Sequence, residues 1–317
     1  MRSAPALVPP RLLCRLCCPL LALAGTLGGC SASKFAADTT AGFLSDASPA
    51  ARAYFDYETA GYGAANGLLQ LEGLHHVSPN NERLTLLLAQ AYVAYAFGWV
   101  MDRQEQEQFA GRYEQADHEK QRAFLMYQRA HDLTLRLLRA RDPEIDPFLF
   151  GDPDKLAARL RERFNRRDRD VELVFWTALA WGSTITNAPS LDALVDLPAV
   201  KVLALHSVAL DEGYEGAGAL ALLGGFESSY PQQLGGNWAK GRAYFERALR
   251  LSRRHNHMHH INFARTYAVN AQDKPLFVAL LKEVLEAGDQ GNENRLSNKV
   301  ARRRAERYLS HIDDYFE

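Results

Sequence analysis

Beyond residue 30 the chain has no cysteine; the four it contains are Cys14, Cys17, Cys18 and Cys30. A disulfide framework and thiolate zinc sites are therefore excluded from the body of the protein. Isoleucine is scarce, at Ile145, Ile185, Ile261 and Ile312 alone, while Leu and Ala dominate. That imbalance disfavours sheet and favours helix. The formal net charge of −1 offers no basic excess, so nothing electrostatic points to nucleic acid as a partner. There is no Gly-Lys-Ser or Gly-Lys-Thr phosphate loop, no Gly-x-Ser-x-Gly elbow and no His-Glu-x-x-His. What is present is the composition of a folded protein, 47% apolar and 24% charged. At ~100–200 residues per domain, the length allows one elongated domain or two ordinary ones.

The first thirty residues read as an address. Arg2, Arg11 and Arg15 form a basic start without acids, an apolar run spans Leu16 to Leu27, and Leu27-Gly28-Gly29-Cys30 closes it. This is the layout of a secretory signal. About a dozen apolar residues are too few to span ~30 Å of hydrocarbon comfortably. The ending is similar to a bacterial lipobox, in which Cys30 becomes the lipidated first residue; the alternatives are an ordinary signal cleaved nearby or a short anchor. Ser31, rather than an acid, follows Cys30, which points to the outer membrane. Removing 29 residues, with three Arg and no acid among them, leaves 288 residues and moves the net charge from −1 to −4. Residues 30–48, rich in Ala, Ser, Thr and Asp, are expected to be a flexible tether with a reach of roughly 20–25 Å. Residues 49–317 are expected to form the folded domain.

That domain is expected to be all-α, a solenoid of helical hairpins. Leu84, Leu88, Tyr92, Tyr95 and Trp99 recur at helical spacing. Leu88-Ala89-x-x-Tyr92 fits the first helix of a tetratricopeptide pair, and Ala123-x-x-x-Tyr127-x-x-Ala130 fits the second. Pro79-Asn80-Asn81 suits the join before a repeat. Gly241-x-x-x-Phe245-x-x-Ala248-Leu249 reads as another second helix, Phe263-Ala264-x-x-Tyr267 as another first helix, and Val202-x-x-x-His206-x-x-Ala209-Leu210 as a weaker copy. Small residues let two helices approach, aromatics fill the gap, and each pair leaves an apolar face for the next. Some 20 extra residues between Tyr92 and Ala123 predict extended helices there, in an array of about four or five pairs. Asp142-Pro143, Asp146-Pro147 and Asp152-Pro153 mark a loop, with Asp152 and Pro153 as cap and first turn of the next helix. Asn187 to Pro198 and Ser228 to Asn237 mark two more. Asn294 to Tyr315 is a charged amphipathic helix suited to capping the array.

Few constellations suggest chemistry. His255, His257, His259 and His260 could pair across helical turns as zinc ligands; the alternative is a polar helix entrance with the imidazoles exposed or capping. Gly216-x-Gly218-x-x-Ala221 superficially matches a dinucleotide fingerprint, but it follows a helical segment rather than a strand, so close helix packing explains it better. The sign-alternating run Arg161 to Asp170 reads as a solvated helix face. Tyr92, Tyr95, Trp99, Trp176 and Trp181 could line an apolar cleft, or fill the repeat core. No catalytic residue and no cofactor follow from these patterns.

With the lipobox, the degenerate repeats and the chain end together, the sequence resembles the T component associated with tripartite ATP-independent periplasmic (TRAP) transporters. The resemblance rests on Tyr230-Pro231-x-x-Leu234-Gly235-Gly236-Asn237, Lys240 to Leu249, Phe277-x-x-x-Leu281-x-x-Val284-Leu285, Glu293 to Ala301 with Arg304-Ala305, and Asp314-Tyr315-Phe316. It implies a non-enzymatic, tetratricopeptide-like lipoprotein, homotrimeric around a central pore and located on the periplasmic face of the outer membrane. Its partner would be the TRAP periplasmic substrate-binding protein, handling a hydrophobic ligand. Only Cys30 carries over as a defined position; cleft residues remain unassigned. A scaffold for outer-membrane or pilus assembly is the alternative, and a histidine-dependent metal enzyme a third.

Overall fold

The computed structural model describes residues 29–230 and 236–316. The signal segment, the side chain of Cys30 and the Pro231-to-Gly235 part of the family-like motif lie outside the described residues. No strand occurs among the described residues, and the protein is all-α. The helices are α1 (Gly29–Arg52), α2 (Tyr57–Val77), α3 (Glu82–Tyr95), α4 (Met101–Phe109), α5 (Tyr113–Arg141), α6 (Asp146–Leu149), α7 (Pro153–Arg163), α8 (Arg167–Asn187), α9 (Leu197–Leu210), α10 (Tyr214–Ser229), α11 (Trp238–Leu251), α12 (His257–Asn262), α13 (Lys274–Glu286) and α14 (Arg295–Ser310). A π-helical turn, Ala96–Val100, joins α3 to α4, and another, Phe263–Ala268, extends α12.

Short polar side chains start several of these helices. Asp56, Asn81, Asp152, Asn237 and Asp273 each accept a hydrogen bond from a backbone N–H in the first turn; such caps are worth about 1 kcal/mol each. The helices then pack on neighbours both next in sequence, as α10 on α11, and further along it, as α3 and α8 on α5. The residues of the repeat pattern do the packing: Leu88, Ala89, Ala123, Tyr127 and Ala130 are buried between α3 and α5, and Phe245, Ala248 and Leu249 are buried on α11. Gly241 is needed where α11 crosses α10, since a Cβ there would lie 2.2 Å from Ser228 Oγ. The extra residues after Tyr92 are taken up by the continuous rod of α3, π turn and α4, and by α5, which is 29 residues long.

Three expectations are corrected. Residues 30–48 are not a flexible tether but part of α1: Ala37 and Ala41 are buried, and Asp38 accepts from Ser78 Oγ (2.5 Å) and Asn81 Nδ2 (2.6 Å). An Ala-rich stretch has high helix propensity, and these contacts supply the tertiary support. The run Arg161–Asp170 is not wholly solvated. Phe164 and Asp170 are buried at the corner between α7 and α8, where Asp170 accepts from Arg141 and from the Arg166 backbone, both at 2.9 Å. The last helix, α14, is not a free polar cap. Its Arg303 and Arg307 reach Asp102 of α4, while Arg307 and Tyr308 reach Glu105. The array closes on itself, with its end against its beginning.

Candidate functional site

Between these helices lies an apolar cavity of about 260 Å³, open to solvent beside Ala94. Each of the converging helices gives it one stripe at helical spacing. The α3 rod contributes Val93, Ala94 and Phe97, and α8 contributes Phe175, Trp176, Leu179 and Ser183. Helix α10 adds Gly218, Ala221 and Leu222, α12 adds Met258, His259 and Asn262, and Tyr127 of α5 completes the wall. No Lys, Arg, Asp or Glu is among these residues.

The wall is held by local chemistry. Phe175 meets Trp176 and Tyr214 edge to face, each at 5.4 Å between ring centres, and the Trp176 indole N–H donates to Tyr214 Oη at 3.3 Å. Gly218 leaves room for the Phe175 ring; a Cβ there would stand 2.8 Å from its Cζ. The glycine pattern Gly216-x-Gly218-x-x-Ala221 thus serves helix packing at the cavity. Backbone φ is positive at Glu215, Gly216 and Ala217, a left-handed turn that costs the two non-glycine residues strain. That turn brings the Gly216 carbonyl to 2.7 Å from His259 Nε2. A carbonyl can only accept, so Nε2 carries the proton and Nδ1 is the bare acceptor. Burial pushes the His259 pKa below that of free histidine, against the smaller upward pull of the Gly216 bond, so the ring stays neutral. Burial likewise raises the Tyr127 phenol and keeps it protonated.

The other sequence candidates separate. His257, His259 and His260 are buried rather than exposed, because α12 packs its whole circumference against α10, α13 and α14. Their neighbours differ: His257 faces Gln290 at 3.4 Å, His259 the Gly216 carbonyl, and His260 Nε2 the Glu283 carboxylate at 3.1 Å, misaligned for a hydrogen bond. His255 lies in the preceding turn. No three His, Cys, Asp or Glu side chains among the described residues are placed to hold a metal ion. Of the aromatic stripe, only Trp176 lines the cavity. Tyr92 donates to Glu72, Tyr95 and Trp99 stack at 5.9 Å, and Trp181 stacks on His131 at 4.7 Å. A second, polar pocket of about 230 Å³ gathers His257, Asp289, Arg295, Lys299 and Arg302; Asp289 is already engaged there by Arg295 (2.8 Å) and Lys299 (3.2 Å).

The family model of the TRAP transporter T-component matches residues 55–316, most of the chain. The chain belongs to the TRAP transporter T-component family. No curated protein is a significant match to it. The match places this T-component among the accessory parts of a TRAP transporter system. It begins beyond α1, so the family-wide body is the part that builds the cavity. In this T-component the cavity residues Val93, Phe97, Phe175, Leu179, Met258 and Asn262 escaped the sequence reading. The signal available was the Phe175-Trp176 pair followed by Leu179 and Ser183, an aromatic stripe ending in a hydroxyl. Nothing local tied it to Val93 or Met258.

Proposed function

We propose that this T-component is a non-enzymatic periplasmic lipoprotein. Cys30 anchors it to the outer membrane, and as a homotrimer it docks the TRAP periplasmic substrate-binding protein. Its cavity accommodates a small hydrophobic ligand exchanged with that partner. The observation that carries this reading is the uncharged, largely aromatic and aliphatic cavity, open to solvent on one side, where several helices meet, the kind of site that takes apolar small molecules. Its volume exceeds the ~150 Å³ of an apolar cavity that takes benzene. A binding role rather than catalysis is supported by the lining: Ser183 and His259 are present, but no carboxylate lines the cavity to orient the imidazole, and Nε2 is already engaged. The lipobox-like Leu27-Gly28-Gly29-Cys30 supports the anchor.

Native extraction followed by intact-complex mass measurement tests the assembly. Co-purification with the substrate-binding protein and a mass of three chains are expected; a bare monomer without that protein counts against it. Mass spectrometry of the mature N-terminal peptide tests the anchor, with a triacylated or diacylated Cys30 expected and an unmodified residue overturning it.

A further inference from the structure

The cavity is apolar but not uniformly so. Besides the Tyr127 phenol and the Trp176 indole, whose N–H goes to Tyr214, three uncharged polar side chains interrupt its wall: Ser183, His259 and Asn262. His259 is 3% exposed, and its Nδ1 is buried without a hydrogen-bond partner among the described residues. The hydrogen bonds made at Ser183 and Asn262 are to their backbone carbonyls, which accept from Asn187 Nδ2 and Thr186 Oγ1 at Ser183 and from Thr266 Oγ1 at Asn262. The Ser183 hydroxyl and the Asn262 carboxamide therefore have no hydrogen-bond partner among the described residues. His259 and Asn262 stand three residues apart on α12, the spacing that puts two side chains on one helix face. Buried polar groups are normally paired, and each exception calls for an explanation. Here the His259 Nδ1 is such an exception, an acceptor whose tautomer is fixed by the Gly216 carbonyl, and the half-buried Ser183 and Asn262 side chains line the same cavity.

We infer that Ser183, His259 and Asn262 form a head-group subsite, and that the cavity selects an uncharged amphipathic ligand: an apolar body bearing a hydroxyl or amide, not a carboxylate. The inference rests on the reading of the cavity as a ligand site and adds the chemistry of what enters. A hydroxyl or amide N–H satisfies the bare Nδ1 acceptor, and its oxygen takes donors from Ser183 and Asn262. A carboxylate has no proton to offer Nδ1, and no Lys or Arg lines the wall to offset the loss of its hydration. Burial keeps His259 neutral, so the imidazole supplies no compensating charge.

Calorimetric titration at pH 8 tests this on the mature chain carrying Cys30→Ser, which needs no detergent, with 1-octanol, octanoate and n-octane as probes. Octanol is expected to bind at least tenfold more tightly than either of the others. Asn262→Leu and Ser183→Ala, which leave the His259–Gly216 bond in place, are expected to weaken octanol at least fivefold while octane affinity holds. If octanoate or octane matches octanol, or if both variants bind octanol as the parent does, the head-group subsite is overturned and the cavity reading survives. If none of the three probes binds a chain shown by circular dichroism to be folded, both readings fall together.

Discussion

Two regions of the molecule sit side by side on the same helical rod and obey opposite rules. The cavity holds no charged side chain. One turn away, the seam between α4 and α14 is crowded with them: Asp102, 1% exposed, accepts from Arg303 (3.2 Å), Arg307 and the Tyr57 hydroxyl (3.1 Å). Glu105 accepts from Arg307 and from the Tyr308 hydroxyl at 2.8 Å. Burial pushes the Asp102 carboxyl upward, but the hydrogen bond and charge of Arg307, with Arg303 and Arg304, pull it further down, and the net shift is downward. Phe97 belongs to both regions. Its ring lines the cavity and lies 4.2 Å beneath the Arg304 guanidinium, while its carbonyl accepts from Arg304 at 2.9 Å. The π turn makes this possible, because a wider turn breaks the regular i→i−4 ladder and frees carbonyls such as those of Phe97 and Gly98 for side-chain donors; Tyr57 takes the second at 2.7 Å. The difference teaches a division of labour. Ionic contacts join the end of the array to its beginning, and the neighbouring cavity is kept free of charge.

The sharpest way to break that division is Asp102→Ala. It removes the buried carboxylate that Arg303 and Arg307 share, leaving Arg307 only Glu105, and should cost about 3 kcal/mol or more, read by chemical denaturation, while the folded fraction still binds the cavity probe. A loss below about 1 kcal/mol would mean the seam is dispensable.

A smaller effect comes from pH. Burial lowers both His131 and His260 to about 4, against an unfolded value near 6.5. The unfolded chain therefore binds these protons first. Their contribution to stability is full above about pH 6.5 and is lost as pH falls toward 4, by on the order of 2 kcal/mol for each imidazole between pH 7 and 4.5. The bond to Arg254 and the neighbouring His260 hold Glu283 down at about 2, which adds a loss of the same sign below its unfolded pKa. Denaturation midpoints across this range should decline steadily, and His131→Phe, whose ring can keep the stack on Trp181, should flatten the decline. An unchanged slope in that variant would remove His131 from the account.

The smallest expected change in stability belongs to Ala94→Trp at the exposed part of the cavity wall. The midpoint should stay within about 0.5 kcal/mol of the parent, yet octanol binding should disappear. If binding persists, the ligand enters elsewhere.

The same contrast decides what could be read from the chain. The spacing Ala123, Tyr127, Ala130 exposed the second repeat helix because it reports contacts within one hairpin. Asp152 with Pro153 marked a helix start because a cap acts on its own first turn, and Asp152 does accept from Asp154 N at 2.8 Å. The cavity was hidden because its stripes come from residues as far apart as 93 and 262, and each stripe alone resembles ordinary core. The seam was hidden for another reason. Asn294 to Tyr315 reads as a charged capping helix until the partners of Arg303, Arg304 and Arg307, some 200 positions upstream, are known. Residues 30–48 misled through composition: small polar residues suit a tether, but Ala37, Ala41 and Asp38 happen to meet complementary groups on α2 and α3.

The π turn that frees the Phe97 and Gly98 carbonyls has a further consequence, one of timing. An open repeat array can nucleate anywhere and grow outward. Here the Arg304 bond to Phe97 spans 207 positions and the Arg303 bond to Asp102 spans 201. Contacts of that separation carry a large closure entropy and come late. Until α14 is in place, the Phe97 carbonyl and the carboxylate of Asp102 wait without their guanidinium partners. The final helix therefore completes the seam last, and a chain cut short before Arg303 would keep most of its helices while losing the contacts that join its end to its beginning.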